Sequence, residues 1–473
     1  MLKPFGIHTW RQSDSAAQFR NYYQNNTAFW TPQMMNLTGR EGIAAAEFPL
    51  TYYVAAQFAK VLGYSEAWCR GLHLFLFVLG VYFFYLISLR FIKDPFIAII
   101  PSALLLSTPL CYYYANNFLP NMPAISFVLM GWYFYFRYVM DGKMIAFWMM
   151  IALMTVGAMI KASETIHLVA ALLGLLQAKY GQKRTFPPHF LRHVFVGTML
   201  GVACIGGWVY YAKWLNKGFG NHMSLLDVLP IWRMSDIDIE YTWGVIKKHW
   251  VPVLGHPINW AALILASISL LFPKNWKSPL FFPILLLGVG SLVYGVLWYQ
   301  AFMVHDYYLL TLTVFPAFVF LLLFSSLASL SWNKPLKWLF SLALVGLVGY
   351  NIYYNGQVQV KRTSPSGSEI NLEFYTLEPY LRSLGIDRKD IIISVPDPSP
   401  NISLYMCNNP GWSDGLNGGI NNPKPYIEMG AKYLVAGDST VLARPEMKPY
   451  LHNPIGQHGQ FTIYQLALLP EGD

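Results

Sequence analysis

The sequence predicts a polytopic α-helical membrane protein of about ten spans, with interfacial helices and a small α/β domain exported at its C-terminal end. Three observations predict it. Of the 473 residues 55% are hydrophobic and only 12% charged, where soluble chains carry roughly a quarter charged. Apolar runs of about 16–25 residues, enough to cross a ~30 Å hydrocarbon core as helix, recur from Trp68 to Tyr354 without the period-2 alternation of a barrel. Finally, the Lys and Arg residues of the short loops alternate in a way that puts nearly all of them on one side.

The runs cover residues 68–92, 95–116, 120–139, 143–162, 164–178, 191–214, 257–273, 278–300, 307–329 and 335–354. Arg90, Lys93, Arg137, Lys143, Lys179, Lys183, Arg184, Arg192, Lys274, Lys277, Lys334 and Lys337 then mark the cytoplasmic side. The opposite, exported side receives residues 1–67, the turns at 116–121 and 303–306, the loop 215–256 and everything after Tyr354. Runs 143–162 and 164–178 are separated only by Lys161, Ala162 and Ser163. Reading them as one helix would place the later basic loops outside, so two helices are expected. The even count leaves both termini outside. Residues 1–47 are polar and lack an apolar signal core, which leads us to expect one further helix before residue 1. Pro49–Leu62, short and rich in Tyr and Ala, reads as an interfacial or re-entrant helix.

The net charge of +9 lies mostly in the short loops, so topology accounts for it and a nucleic-acid partner is not expected. Cys69, Cys111 and Cys204 fall in or beside spans and Cys407 in a polar stretch, which is neither a disulfide framework nor a metal spacing. Residues 355–473 carry nine Lys and Arg against twelve Asp and Glu, net −3. Their pattern predicts helices at Leu377–Leu384, Ile402–Cys407 and Tyr426–Met429, and strands at Ile391–Val395, Tyr433–Val435 and Phe461–Leu466. Gly415, Gly418 and Gly419 read as a turn, with no phosphate loop or catalytic triad. The tail is expected to cap the membrane domain, residues 1–354, or to bind a partner.

The densest polar cluster is His8, Trp10, Arg11, Gln12, Asp14, Gln18, Arg20 and Asn21. Helical spacing puts Trp10, Asp14 and Ala17 on one stripe and Arg11 and Gln18 on the next. It reads either as a solvated helix or as a site offering a carboxylate base and cations. Glu47, before Pro49, is either a charge at a helix start or an interfacial carboxylate suited to proton abstraction. Asn116, Asn117 and Asn121 fit turn chemistry or a polar site. Lys161 lies near the exported end of a span with Glu164 three residues on, either an ion pair closing a turn or a functional cation. In His305-Asp306-Tyr307-Tyr308, N-capping explains Asp306 and an aromatic belt the tyrosines, and His305 is left over. The 215–256 loop is amphipathic and aromatic, with Trp232, Trp243, Arg233 and Lys248 placed to meet a lipid phosphate or water.

These clusters, in this order at the exported ends of successive spans, resemble the GT-C glycosyltransferases, which include protein O-mannosyltransferases and the lipid A aminoarabinose transferases of glycosyltransferase family 39. The resemblance covers roughly residues 5–355. It rests on His8-Thr9-Trp10-Arg11-Gln12-Ser13-Asp14, Arg20-Asn21-Tyr22, Glu47-Phe48-Pro49-Leu50, Leu119-Pro120-Asn121-Met122-Pro123 and His305-Asp306-Tyr307-Tyr308. Where the family often has an Asp-Glu pair this chain has Arg11-Gln12, and Asn121 stands at a second acidic position. The resemblance implies inverting transfer of a sugar from a polyprenyl-phosphate donor to a lipid, glycan or protein acceptor at the outer face of a bacterial inner membrane. It makes Asp14 the first choice for general base and Glu47 the second. Arg11, Arg20, Lys161 and His305 would meet the phosphate, Asp306, Tyr308 and Asn121 would line the substrate site, and no metal or other cofactor is expected. The alternatives are a lipid-linked-sugar transporter, which would show repeats or broken helices, and a non-catalytic scaffold.

Overall fold

A computed structural model describes residues 3–38, 41–220, 227–330, 332–364, 371–416, 419–437 and 442–468. Gly418, in the expected turn, lies outside them. Contacts divide the chain into two compact units, one of Met1–Cys69, Tyr211–Leu225 and Arg362–Asp473, the other of Arg70–Tyr210 and Leu226–Lys361.

In the first unit, α1 (Thr9–Gln24) and α2 (Leu50–Leu62) pack together, with the Tyr52 hydroxyl donating to Ser15 Oγ at 3.0 Å. Although α1 carries few apolar residues, thirteen of its sixteen residues are buried. A helix this polar is stable inside a fold only where its polar groups find partners, and those partners come from far along the chain. The apolar Met35–Leu37 segment extends the sheet of the C-terminal tail: Gly411 N donates to Met35 O at 3.0 Å and Leu37 N to Gly411 O at 2.8 Å.

The second unit is helical. After α3 (Ala67–Phe91), Asp94 caps α4 (Pro95–Ser107), accepting from Phe96 N at 3.0 Å, with Pro95 at the first helical position. Thr108 is extended because Pro109 follows, and α5 (Pro109–Ala115) leaves α4 at a 70° bend. Next come α6 (Asn121–Asp141), closed by a left-handed Gly142, and α7 (Met144–Ile160). The expected break is present: Lys161 is extended, Ala162–Glu164 form a 3₁₀ turn, and α8 (Thr165–Tyr180) begins. The long α9 (Phe190–Gly218) follows. The 215–256 loop holds α10 (Asp236–Val245), capped by Ser235, a π turn, and α11 (Val251–Leu254), which meets α12 (Pro257–Ser267) at 87°. The unit ends with α13 (Phe281–Leu297), an eight-residue 3₁₀ run Asp306–Thr313, α14 (Val314–Ala328) and α15 (Lys334–Arg362).

Each of the ten expected runs thus contains helix. By length and apolarity alone, however, four helices among the described residues would cross a membrane, or six if each bent pair is one span. Among the other runs, 95–116 breaks at Thr108, and α7, α8, α12 and α13 have seventeen, sixteen, eleven and seventeen residues.

α6 and α7 approach closely because Gly157 has no side chain. A Cβ there would lie 2.8 Å from the Ala124 carbonyl oxygen, a backbone atom that cannot swing away. Gly157→Leu is therefore expected to destabilise the helical unit by about 1–3 kcal/mol through overpacking, read as a lower melting temperature in detergent; unchanged melting would show that the helices can part.

The tail forms a five-stranded sheet of order β2-β1-β3-β5-β4. β1 (Ile391–Val395) runs parallel to β2 (Gly411–Ser413) and β3 (Ala431–Ala436), and β5 (Phe461–Gln465) is antiparallel to both β3 and β4 (Pro454–His458). α16 (Phe374–Ser383), α17 (Ile402–Cys407) and α18 (Lys424–Glu428) match the expected helices in place. β2 and β4 are additions: the first has three residues, and the second contains Pro454 and Gly456 with no alternation. The boundary expected after Tyr354 falls inside α15, and the tail clusters with residues 1–69.

Candidate functional site

Two sets of polar side chains stand out, one in each unit. In the first unit α1 brings Arg11 and Asp14 onto neighbouring turns, and the chain returns before α2 to place Glu47 on the same guanidinium. Arg11 Nη2 donates to both Glu47 oxygens, and its Nη1 lies 3.6 Å from Asp14 Oδ2. All three are buried, Asp14 to 1% exposure. Asp14 Oδ1 accepts from Asn401 Nδ2 at 2.9 Å, and Asn401 Oδ1 in turn accepts from the backbone of Met35 and Asn36. Burial pushes the Asp14 carboxyl up to about 6, against the pull of Arg11.

Arg20, nine residues on, belongs to a different group. Its Nη1 donates to Tyr405 O at 2.6 Å, its Nη2 to Glu66 at 3.1 Å and its Nε to Tyr64 at 2.9 Å, with the guanidinium 3.7 Å from the Tyr405 ring centroid. That is the environment of a core cation. Gln12 donates to Phe5 O and Ile7 O, and Asn21 to Gln33 O.

In the second unit the 3₁₀ run Asp306–Thr313 gathers the remaining candidates. Asp306 Oδ1 accepts from Tyr114 at 2.5 Å, so its carboxylate serves α5 and not a helix cap. Asn121, first residue of α6, donates from Nδ2 to Tyr307 O at 3.2 Å. Lys161 Nζ stands 5.2 Å from the Tyr308 ring centroid and 5.9 Å from that of Tyr307, within cation–π range. His305 stacks on Tyr307, centroids 5.0 Å apart. Glu164, the expected partner of Lys161, is engaged by Ser163, Thr311 and His167. Asn117 closes its own turn on Phe118 N and Leu119 N, as turn chemistry expects, while Asn116 accepts from Arg70 of α3.

The same unit encloses a cavity of about 700 Å³. It is lined by Pro101, Leu105, Leu254, Trp260, Leu292, Phe302, Phe315 and Phe320 among others, with Thr108, Asn259, Ser291, Tyr299 and Thr313 as its few polar groups.

Asn401, Glu66 and Tyr114 escaped the sequence reading. Asn401 is separated from Asp14 by 387 positions, and no local pattern marks it. The one available signal was α1 itself, a polar helix without an apolar face.

Residues 46–211 match the family model described as dolichyl-phosphate-mannose-protein mannosyltransferase. No curated protein sequence matches the chain. Among solved structures the chain is similar to ArnT from Cupriavidus metallidurans, bound in that crystal structure to undecaprenyl phosphate: 14% identity, TM-score 0.62, covering 98% of this chain and 95% of that one. It is also similar to the arabinofuranosyltransferase AftD from Mycobacteria: 12% identity, TM-score 0.56, covering 99% of this chain and 38% of that one.

Proposed function

We propose that this chain is a membrane glycosyltransferase of the GT-C type that moves a sugar from a polyprenyl-phosphate donor to an acceptor hydroxyl on the exported face, with inversion at the anomeric carbon. The observation that carries the donor class is the cavity in the helical unit. A sugar-nucleotide donor would call for a polar, cationic pocket, whereas walls of Leu, Phe, Trp and Pro suit a prenyl chain. The family match over residues 46–211 and the likeness to an undecaprenyl-phosphate-bound structure agree with that reading.

In this mechanism Asp14 accepts the acceptor proton as its oxygen attacks the anomeric carbon, and the bond from that carbon to the phosphate oxygen breaks. Polyprenyl phosphate leaves as a stable anion and needs cations more than an acid. Lys161, held over Tyr308, is assigned to that phosphate, with His305, Asp306, Tyr308 and Asn121 on the substrate. Arg11 is assigned to hold the Asp14 and Glu47 carboxyl groups in place, and Arg20 to structure. A bacterial inner membrane is the compartment we assign. No metal is required by this chemistry.

One observation favours a second reading. A lipid-linked-sugar transporter should contain broken helices, and two bent pairs, at 70° and 87°, are present. Proteoliposomes carrying a panel of radiolabelled polyprenyl-phosphate sugars separate the two. Transfer yields free polyprenyl phosphate and a labelled acceptor, while transport moves the intact donor between leaflets. Filling the cavity by Ser291→Trp is expected to raise the donor KM about tenfold with kcat little changed, the pattern of lost ground-state binding. An unchanged KM would remove the cavity from the donor site.

A further inference from the structure

The helical unit holds a carboxylate that the transfer chemistry does not use. Glu164 is 1% exposed, His167 1%, Thr311 1% and Trp132 fully buried. Thr311 donates its hydroxyl to Glu164 Oε1 at 2.6 Å, and Ser163 lies 3.1 Å from the same oxygen and 2.9 Å from Thr311. On the other side His167 Nε2 is 3.2 Å from Glu164 Oε2, while Trp132 Nε1 donates to His167 Nδ1 at 3.2 Å. An indole nitrogen only donates, so His167 Nδ1 is the acceptor there, and its Nε2 stands beside Glu164 without hydrogen-bond geometry. A well-packed apolar side chain would serve stability at least as well as a buried ionisable group, and ionisable groups among membrane helices are functional candidates.

What this network grips is unusual. The 3₁₀ run Asp306–Thr313 is eight residues long, where runs beyond three or four are uncommon and often mark functional or strained segments. Its first three residues are fixed in turn by Tyr114 on the Asp306 carboxylate, Asn121 on the Tyr307 carbonyl and Tyr294 on the Tyr308 carbonyl at 3.0 Å. The second half is fixed by Glu164 through Thr311 and more weakly by the Cys111 thiol, 3.6 Å from Thr313. In a 3₁₀ helix, residues three apart eclipse, so Thr311 shares an edge with Tyr308. The turn that supplies Glu164 also supplies Lys161.

We propose that Glu164 is a positioning residue: through Thr311 it clamps the 3₁₀ run to the α7–α8 turn, keeping Asp306 and Tyr308 in register with Lys161. The proposal rests on the transfer reading for its catalytic consequence and on the clamp itself for its structural one, and the two are measured separately.

Hydrogen exchange on the full chain in nanodiscs reads the clamp without any substrate. Thr311→Val, nearly isosteric but without the hydroxyl, is expected to make the amides of residues 306–313 exchange about tenfold faster, with the rest of the helical unit unchanged. Thr311→Ser should restore wild-type exchange, and Glu164→Ala should match Thr311→Val, the double variant being no worse than Glu164→Ala alone. Unchanged exchange in Thr311→Val, or a loosening of the whole unit together, would overturn the clamp. In the transfer assay, Thr311→Val is expected to lower kcat about tenfold with the donor KM within about twofold, and Thr311→Ser to recover kcat. A rise in KM at constant kcat would make Thr311 a substrate contact and overturn the positioning role. Absence of transfer in the wild type would count against the function proposed above, and the exchange data would still decide the clamp.

Discussion

Replacing Arg20 with leucine is expected to lower the unfolding free energy of its unit by about 3–5 kcal/mol, because it leaves a buried partner charge uncompensated. Glu66 is only 9% exposed, and its Oε1 receives Arg20 Nη2 along with the Tyr405 hydroxyl at 3.2 Å. The same substitution strips a donor from the Tyr405 carbonyl and from Tyr64. Arg20→Lys should recover little: an ammonium cannot supply three donors in a fork while lying flat on an aromatic face. Because α1, Glu66 and α17 all lose a contact at once, melting in detergent should fall together with limited-proteolysis resistance of the C-terminal tail. Should the leucine variant melt like the wild type while the donor KM rises, Arg20 would be a phosphate ligand after all.

Arg20 also shows what the sequence could and could not display. The helical spacing of Trp10, Asp14 and Ala17, the break at Lys161 and the strand Ile391–Val395 follow from local pattern, and the structure has helix, break and strand there. The resemblance assigns Arg11 and Arg20 alike to the phosphate. What separates Arg11 from Arg20 is their company: Glu47 and Asp14 for one, Tyr405, Tyr64 and Glu66 for the other. Tyr405, 385 positions from Arg20, leaves no periodicity to read. The same holds for the tail. Its three helices and the strands β1, β3 and β5 were legible one by one, but β2, β4 and the attachment to α1 through Asn401 and to residues 35–37 through Gly411 depend on tertiary pairing. Hydropathy registers apolar length and is blind to a bend such as the 70° one between Ser107 and Pro109.

Asp14→Asn is the substitution with the largest expected effect on activity: transfer should fall about a thousandfold, within the range for loss of a general base, while stability does not fall. Burial raises the Asp14 carboxyl from 3.8 to about 6, so the folded state favours its protonated form. That contribution to stability is fully present below about pH 4 and is lost as pH climbs through about 6. At pH 7 the ionised carboxylate is therefore a cost to the fold, which asparagine removes while still accepting from Asn401. Wild-type kcat/KM should accordingly rise with pH to a plateau above an apparent pKa near 6, and the residual activity of Asp14→Asn should lack that acidic limb. Glu47→Gln provides the contrast. It weakens the partner that engages Arg11 through both oxygens, so its principal effect should be lower melting, with the acidic limb retained. If Glu47→Gln abolished the limb and Asp14→Asn kept it, the base would be Glu47, and the elevated carboxyl of Asp14 would be a consequence of burial alone.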